Sequence, residues 1–371
     1  MTYKWFIDET EQQLGHLYES TEGRAIAARL LQHFCGVSSY EHLVEPYGAV
    51  AEEYLSVLQN AVQQLAVARP LQYVIGCQEF LGRDFFVEEG VLIPRPETEE
   101  LVLWVMEYIK QTEFFARSDK DRKRETDSIC GAGLSIIDAA CGSGAIAVSL
   151  AASLPGSQIY AFDLSDKALE ITRRNSEALL PALSRIRLFK YDLLGTEDSC
   201  IGPEEGQPAS QNSPCSSKEL SGGNDPLCGD RDPYGKDADI ICNYAVKNDL
   251  RQIPRQVDII VSNPPYVTNA EKAAMRSNVL DYEPEEALFV PDDDPLIFYK
   301  ALERFASKYL KPGGVIFMEI NEQFGAETVA VFEEAGYTDI IVRQDIFGKD
   351  RMICAQLSLY SPKNLTDAIF G

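Results

Sequence analysis

The stretch 257–267 constrains the fold of this chain more than any other part of the sequence. Its first five residues form an apolar, β-branched run, which predicts a short buried strand. Two consecutive prolines then end the strand, because neither can donate a ladder hydrogen bond, and they hold Asn263 in an extended conformation. We therefore expect a rigid cup at the carboxyl end of a strand, formed by Asn263, Pro264, Pro265 and Tyr266.

Such a cup suits a planar –NH2 group on an sp2 carbon. The carbonyl and amide oxygens would accept its N–H bonds, and the ring of Tyr266 would stack on its plane. The simpler alternative is a Pro-Pro turn that only ends the strand. The motifs that precede the cup in the chain favour the binding interpretation.

The overall composition limits the classes of protein to which the chain can belong. Its 371 residues, 45% of them hydrophobic, are enough for two or three domains with a sizeable core. A net charge of −24 argues against a protein that grips nucleic acid through its phosphates. The three histidines all lie near the N-terminus, which weakens any hydrolase triad at the cup.

The lengths of the apolar runs and the spacing of the cysteines bear on the cellular location of the protein and on metal binding. No apolar run approaches a membrane span, and no signal peptide is visible at the N-terminus. The nine cysteines include no Cys-x-x-Cys pair, which suggests reduced thiols. Four of them, Cys200, Cys215, Cys228 and Cys242, are too evenly spread to predict a zinc site. We expect a cytoplasmic protein with no membrane contact and no metal.

Three regions of the chain differ in their patterning. Residues 1–75 predict a small helical bundle, and residues 76–96 predict a β-hairpin linker. Residues 97–371 alternate between strands and helices, which is typical of an α/β domain. Within that domain, the segment 195–256 is rich in Gly, Pro, Ser, Asn and Asp, and it predicts a mostly disordered insertion.

The alternation from residue 134 onward favours a doubly wound sheet. The predicted strands are 134–138, 158–163, 186–192, 257–261, 315–320, 338–344 and 351–359, with the last two forming an antiparallel hairpin. The predicted helices between them are 145–152, 165–175, 270–280, 296–310 and 328–335.

A glycine-bearing turn follows the first of these strands, which is how open α/β sheets bind nucleotide-like ligands. The turn contains the small residues Ala140, Cys141, Gly142, Ser143 and Gly144, which allow a ligand to approach the backbone. Asp163 ends the next strand and is typical of an acid that accepts two ribose hydroxyls, although a plain helix cap is the alternative. A further acid, Asp192, ends the third strand.

Together these motifs resemble those of the class I methyltransferases that use S-adenosylmethionine to methylate planar amino groups. Within that class, the chain resembles the release-factor glutamine N5-methyltransferases (HemK/PrmC) over nearly its whole length outside the insertion. The matching segments are Arg69-Pro70-x-Gln72-Tyr73, Glu79-Phe80-x-Gly82, Leu92-Ile93-Pro94-Arg95-Pro96-Glu97-Thr98-Glu99, Tyr282-Glu283-Pro284, Glu319-Ile320 and Asp345-Ile346-x-Gly348. The Pro-Arg-Pro-Glu-Thr-Glu segment is the most diagnostic, because the similar ribosomal-protein glutamine methyltransferases lack it.

The resemblance implies a seven-stranded, Rossmann-like methyltransferase sheet and S-adenosylmethionine as the cofactor. The implied cofactor-binding residues are Asp138, Ala140, Cys141, Gly142, Ser143, Gly144, Asp163, Asp192, Leu193 and Asn263. Asp163 would hold the ribose, and Leu193 would lie near the adenine. Asn263, Pro264, Pro265 and Tyr266 would hold the glutamine side chain as catalytic residues.

Two residues depart from the pattern of that family. Ala140 and Asn321 stand where the family usually has glycine. We expect neither of them to touch the acceptor cup, so the departures would affect cofactor affinity more than reaction type.

The implied reaction transfers a methyl group to the glutamine of the Gly-Gly-Gln motif in class 1 peptide chain release factors, which residues 1–75 would grip. The main alternative is an adenine-N6 DNA or RNA methyltransferase, which uses the same cup for an exocyclic amine. Such enzymes need a basic recognition surface, and this acidic chain predicts none. A binding scaffold without activity is a third reading, but it would leave both the cup and the cofactor loop idle.

Overall fold

The computed structural model describes residues 1–116, 133–181, 186–195 and 253–359. The predicted insertion at 195–256 lies outside these residues except at its two ends. The four cysteines within it are therefore also outside the described part of the chain.

The N-terminal region consists of five helices, as the sequence indicates. They are α1 (Tyr3–Leu14), α2 (Ser20–Cys35), α3 (Glu41–Val44), α4 (Leu55–Ala66) and α5 (Leu71–Ile75). Leu14, Leu30, Leu58 and Leu65 are fully buried between them. Their burial explains why the region forms a core of its own.

A β-hairpin follows the bundle, with β1 (Cys77–Phe80) paired antiparallel to β2 (Arg83–Phe86). The turn needs left-handed backbone at Leu81 and at Gly82. Phe80 and Phe85 are buried and meet edge to face at 5.7 Å, which fixes the hairpin on the core of the α/β region.

Seven strands form the main sheet, and the predicted doubly wound α/β fold is confirmed. The strands are β3 (Ser135–Ala139), β4 (Gln158–Asp163), β5 (Arg187–Lys190), β6 (Val257–Ser262), β9 (Leu310–Glu319), β10 (Tyr337–Gln344) and β11 (Asp350–Leu357). Their order is β10-β11-β9-β6-β3-β4-β5. The five strands from β9 to β5 are parallel, and β11 runs antiparallel to both of its neighbours. A small separate sheet pairs β7 (Val267–Thr268) with β8 (Phe289–Val290).

Helices cover both faces of the sheet. They are α6 (Pro96–Ala116), α7 (Ala145–Ser153), α8 (Asp166–Leu179), α9 (Ser277–Leu280), α10 (Ile297–Tyr309) and α11 (Gly325–Glu334). Successive strand residues point to opposite faces, so Ile136 packs beneath α6 and α7 whereas Ile137 packs with α10 and α11. Because both faces are buried, the central strands read as continuous apolar runs.

The predicted helix at 270–280 is wrong. A 3-10 turn (Asn269–Ala274) and the single turn α9 occupy this stretch. Thr268 and Glu271 form a capping box that starts the 3-10 turn, and Met275 is extended with φ −86° and ψ 150°. The extended residue breaks the helical hydrogen-bond ladder between the two turns.

The strand order places the functional loops at one edge of the sheet. The chain moves outward from β3 to β4 and β5, and then returns to β6 on the other side of β3. The carboxyl ends of β3, β4 and β6 therefore meet around a topological switch point, where open α/β sheets bind their ligands.

Among the described residues, no helix has the length and apolar character needed to cross a membrane.

Candidate active site

A cavity of about 510 Å³ lies at this edge of the sheet. Nine of the predicted site residues line it: Ala140, Cys141, Gly142, Ser143, Asp163, Asp192, Leu193, Asn263 and Pro265. Asp138, Gly144, Pro264 and Tyr266 are next to it in the chain but do not line it. The cavity thus brings the glycine loop, two of the strand-end acids and the rim of the predicted cup together.

The loop after β3 needs left-handed backbone at two glycines, and at Gly144 it approaches helix α8 so closely that a Cβ would not fit. Gly142 and Gly144 have φ of +55° and +79°, and a Cβ on Gly144 would lie 2.7 Å from Thr172 Cγ2. The Thr172 hydroxyl donates to the Gly142 carbonyl at 2.9 Å, and Asn175 Nδ2 donates to the Ser143 carbonyl at 2.8 Å. Two side chains of α8 therefore hold the loop in place, and its residues 140–143 line the cavity.

Asp163 serves both as a backbone acceptor and as a wall of the cavity. One carboxylate oxygen accepts the N–H of Gly142 at 2.9 Å, and the other accepts the N–H of Ser165 at 2.9 Å. Burial raises the pKa of this carboxyl group, and the backbone N–H donors oppose the rise. Each oxygen keeps a second lone pair, so the carboxylate can still receive two hydroxyl groups of a ribose.

Asp138 is a structural carboxyl group beneath the loop. Its Oδ2 atom accepts the N–H of Ala147 in α7 at 2.9 Å, and the residue is fully buried. Burial raises the pKa of Asp138 to about 8. Its Oδ1 atom is buried and has no hydrogen-bond partner within the described part of the chain.

These features fit S-adenosylmethionine. Its ribose matches the Asp163 carboxylate, and its amino-acid end matches the loop of small residues before the N-terminus of α7. The cavity also provides apolar surface for a base, from Phe162, Leu193 and Phe298. Its volume is within the usual range for sites that enclose a ligand of this size, roughly 300–1,000 Å³.

The side chain of Asn263 is held in place by Thr98. Thr98 belongs to the Pro-Arg-Pro-Glu-Thr-Glu segment, but the sequence of that segment does not reveal this role. Asn263 Nδ2 donates to Thr98 Oγ1 at 2.9 Å. Thr98, in the first turn of α6, in turn donates its hydroxyl proton to Glu319 Oε2 at the end of β9. Thr98 and Glu319 are 4% and 0% exposed. Because the amide nitrogen of Asn263 is engaged, its Oδ1 atom remains as the acceptor.

Tyr266 is fixed from two sides. Its hydroxyl donates to Glu319 Oε1 at 3.1 Å, and its carbonyl oxygen accepts a hydrogen bond from Asn321 Nδ2 at 3.1 Å. Burial and the neighbouring Glu319 raise the pKa of Tyr266 well above its usual value. The expectation that Asn321 does not touch the cup is therefore wrong, since its amide holds the backbone of the last cup residue.

Ala140, the other residue that departs from the family pattern, adopts an unusual backbone conformation. Ala140 has φ of +59°, in the left-handed region that favours glycine. It does not contact the cup in any hydrogen bond of the described residues, and it lies in the loop that lines the cavity.

The segment before α6 closes the cavity over the site. Arg95 Nη2 lies 2.6 Å from Glu283 Oε1, and the other oxygen of Glu283 accepts the N–H of Ile93 at 3.1 Å. Tyr282 donates its hydroxyl to the Val67 carbonyl of the N-terminal bundle at 2.8 Å. The sequence motifs contain all of these residues except Val67, but no local pattern predicts partners that lie 188 to 215 positions apart.

Several known proteins are similar to this chain in sequence. A release factor glutamine methyltransferase from Bacteroides thetaiotaomicron is 32% identical over 344 residues, which cover 93% of this chain and 96% of the relative. Another from Flavobacterium psychrophilum is 30% identical over 353 residues, covering 95% and 98%. A third from Chlorobaculum tepidum is 30% identical over 332 residues, covering 89% of each chain.

One solved structure is also similar to part of the chain. It is a release factor-specific protein-(glutamine-N5) methyltransferase from Alicyclobacillus acidocaldarius, with 21% identity and a TM-score of 0.33, and the match covers 74% of this chain and 99% of that chain. No protein-family model matches the chain. The assignment rests on the sequence relatives: this chain belongs to the release factor glutamine methyltransferase family.

Proposed function

We propose that this enzyme transfers the methyl group of S-adenosylmethionine to the side-chain amide nitrogen (N5) of the glutamine in the Gly-Gly-Gln motif of class 1 peptide chain release factors. The observation that carries the proposal is the position of Asn263. Its side chain lies on the rim of the cofactor-sized cavity, with the amide nitrogen already bonded to Thr98. This arrangement supports a role for the Asn263 oxygen as an acceptor for the planar amide of the substrate.

The residues around the cavity divide into two groups. S-adenosylmethionine would be held by the loop that begins at Ala140, by Asp163 and by the neighbouring Asp192 and Leu193. Asp138 supports this group from beneath through its hydrogen bond to α7. The glutamine would be held by Asn263, Pro264, Pro265 and Tyr266. S-adenosylmethionine, when bound, supplies an electrophilic methyl group on a sulfonium sulfur.

Positioning supplies most of the rate enhancement in this mechanism. An amide nitrogen is a weak nucleophile because its lone pair is delocalised into the carbonyl group. Asn263 Oδ1 and the Pro264 carbonyl accept the two N–H bonds of the glutamine amide, and Tyr266 fixes its plane. Correct placement of two reacting groups is worth about 7–11 kcal/mol, whereas one neutral hydrogen bond contributes about 0.5–1.5 kcal/mol net. No strong base is needed before transfer.

We further propose that residues 1–75 bind the release factor, that residues 76–96 link them to the catalytic domain, and that residues 97–371 form that domain. In support, four large side chains of the bundle, Tyr40, Leu43, Val44 and Tyr47, are exposed on one short segment. Hydrogen bonding of Tyr282 to Val67 and an ion pair of Arg276 with Glu22 hold the bundle against the catalytic region. A substrate used in translation also places the reaction in the cytoplasm.

The alternative, an adenine-N6 nucleic-acid methyltransferase, would need a surface that neutralises phosphates. The chain carries 34 basic and 58 acidic side chains, which opposes such binding. We therefore expect no grip on nucleic acid.

A direct test uses S-adenosylmethionine labelled in its methyl group. The enzyme is incubated with a class 1 release factor, with the same factor carrying glutamate in place of the motif glutamine, or with double-stranded DNA. We expect label in the unmodified factor alone, because glutamate has no –NH2 group. Label in the glutamate form would place the methyl group elsewhere, and label in DNA alone would favour the adenine alternative.

A further inference from the structure

Three side chains, one of them from the cup, form a continuous hydrogen-bonded line. Asn263 Nδ2 donates to Thr98 Oγ1 at 2.9 Å, and Thr98 Oγ1 donates to Glu319 Oε2. The line joins the loop after β6, the first turn of α6 and the end of β9. Neither Thr98 nor Glu319 is exposed enough for water to replace a lost partner.

We propose that Thr98 and Glu319 are positioning residues that decide which end of the Asn263 amide faces the substrate, an inference that rests on the proposed function. An asparagine amide has an acceptor end and a donor end of nearly equal shape. Only the oxygen end can accept an N–H of the glutamine amide. The nitrogen end would present a donor to a donor, and the substrate nitrogen would lose its orientation.

The direction of the line follows from the number of protons that each group can give. A threonine hydroxyl has one proton and two lone pairs. When Glu319 is ionised it can only accept, so Thr98 gives its proton to Glu319 and must accept from Asn263 Nδ2. The Oδ1 atom of Asn263 then faces the cavity.

Protonation of Glu319 removes this constraint. A neutral carboxyl group can donate to Thr98 Oγ1, and the threonine proton is then free to be donated to Asn263 Oδ1. That reversal turns the nitrogen of Asn263 towards the substrate. The charge on Glu319 thus sets the orientation of a residue two hydrogen bonds away.

A second hydrogen bond ties the same carboxyl group to the other wall of the cup. Tyr266 donates to Glu319 Oε1 at 3.1 Å, so one ionised carboxylate orients both Asn263 and Tyr266. This arrangement gives a buried acid a role that a buried hydrophobic residue could not fill.

The groups facing Glu319 come from every element packed around it. Thr98 and Glu97 face it from α6, Tyr266 from the loop after β6, and Arg351 from β11. Tyr299 of α10 is also close, since its hydroxyl oxygen accepts the backbone N–H of Asn321 at 2.9 Å and the Glu319 charge helps to raise its pKa. Burial raises the pKa of Glu319 to about 7, although Thr98, Tyr266 and Arg351 oppose the rise. Its charge therefore changes near neutral pH.

The test measures methyl transfer to a release factor by Thr98→Val, Thr98→Ser and Thr112→Val enzymes. Thr98→Val removes the hydroxyl at nearly constant volume, and we expect kcat to fall about 10- to 100-fold with KM for S-adenosylmethionine changed less than about threefold. Thr98→Ser keeps the hydroxyl and should restore most of kcat. Within the described part of the chain, the Thr112 hydroxyl on the same helix bonds only to backbone carbonyls of α6, so Thr112→Val is the matched control.

A pH series provides a readout that a purely structural role would not change. We expect kcat of the wild type to rise with pH through about 7, as Glu319 ionises. Glu319→Gln cannot ionise and should lose this step between pH 6 and 8.5. The Glu319→Gln variant also tests the inference if the Thr98→Val enzyme does not fold.

Two results would overturn the inference while leaving the proposed function intact. One is a Thr98→Val enzyme with the kcat of the wild type, and the other is an unchanged pH step in Glu319→Gln. Failure of the wild type to methylate any release factor would instead overturn the proposed function.

Discussion

Ala140 adopts a backbone conformation that favours glycine, at the start of the cofactor loop. Its φ of +59° costs an L-residue about 1–2 kcal/mol relative to glycine. Glycine loses more conformational entropy on folding, which offsets about 0.5–1 kcal/mol of that difference. We expect Ala140→Gly to raise the free energy of unfolding by about 0.5–1 kcal/mol, measured by urea denaturation. Ala151→Gly, in the interior of α7, should lower it by about 1 kcal/mol. A destabilised Ala140→Gly enzyme would mean that the Ala140 methyl group is needed for packing.

Asn263 is the residue on which the proposed chemistry depends most. Asn263→Ala removes the acceptor for the substrate amide, and we expect kcat to fall at least about 100-fold because orientation is lost. The Kd for S-adenosylmethionine, measured by calorimetry, should change less than about threefold, since Asp163 and the loop remain in place. Equal losses in transfer and in cofactor binding would instead assign Asn263 to the cofactor site.

Helix α8 joins the hairpin to the cofactor loop through a single buried side chain. Asn175 accepts the N–H of Phe86 at 2.8 Å and donates to the carbonyl groups of Phe86 and Ser143 at 3.0 and 2.8 Å. Asn175→Ala leaves these backbone groups buried without partners, so we expect the free energy of unfolding to fall by about 2–4 kcal/mol in urea. Arg173→Ala, which breaks an exposed pair on the same helix, should change it by less than about 0.5 kcal/mol.

The strands and helices that carry the site follow closely from sequence patterns. Strand β4 occupies the predicted residues 158–163, and helix α10 differs from its prediction by one residue at each end. These elements are predictable because their apolar periodicity is set by burial in one shared core. The stretch 270–280 is not, because a capping box and an extended Met275 divide it without any glycine or proline.

The interior of the site was less predictable than its rim. Asn263 and Asp163 end strands, and strand ends at one edge of a parallel sheet meet by topology alone. By contrast, the hydrogen bond between Thr98 and Glu319 joins residues 221 positions apart. Local patterns cannot indicate such a pair, since it depends on how α6 lies across β9.

The proposed binding of a release factor by the bundle concerns the whole molecule, because side chains such as Tyr282 hold the bundle to the catalytic region. Leu43 and Tyr47 are 72% and 77% exposed. We expect a Leu43→Ser, Tyr47→Ser enzyme to show a KM for the factor raised about tenfold, the effect of losing a typical interface anchor, with kcat unchanged. Leu103→Ser, which removes an exposed leucine from α6, should leave KM unchanged. An unaltered KM in the double variant would exclude this surface.

Stability and activity should respond to pH in opposite directions. Burial raises the pKa of Glu319 from 4.5 to about 7 and that of Asp138 from 3.8 to about 8. Between its unfolded and its native pKa, each carboxyl group holds a proton in the native protein that it has released in the unfolded chain. The free energy of unfolding therefore falls as pH rises from about 4 to about 8. Each group contributes at most about 1.4 kcal/mol per pH unit.

Urea denaturation at pH 5.5 and at pH 8.5 measures this dependence, and we expect the lower pH to give the more stable protein. Asp138→Asn removes one of the two titrations and should reduce the difference, whereas Glu53→Gln, at an exposed position, should not. A protein equally stable at both pH values would show that neither acid is buried at a cost in free energy. Over the same interval the ionisation of Glu319 should increase kcat, so the charge that orients Asn263 for catalysis is the charge that makes the fold less stable.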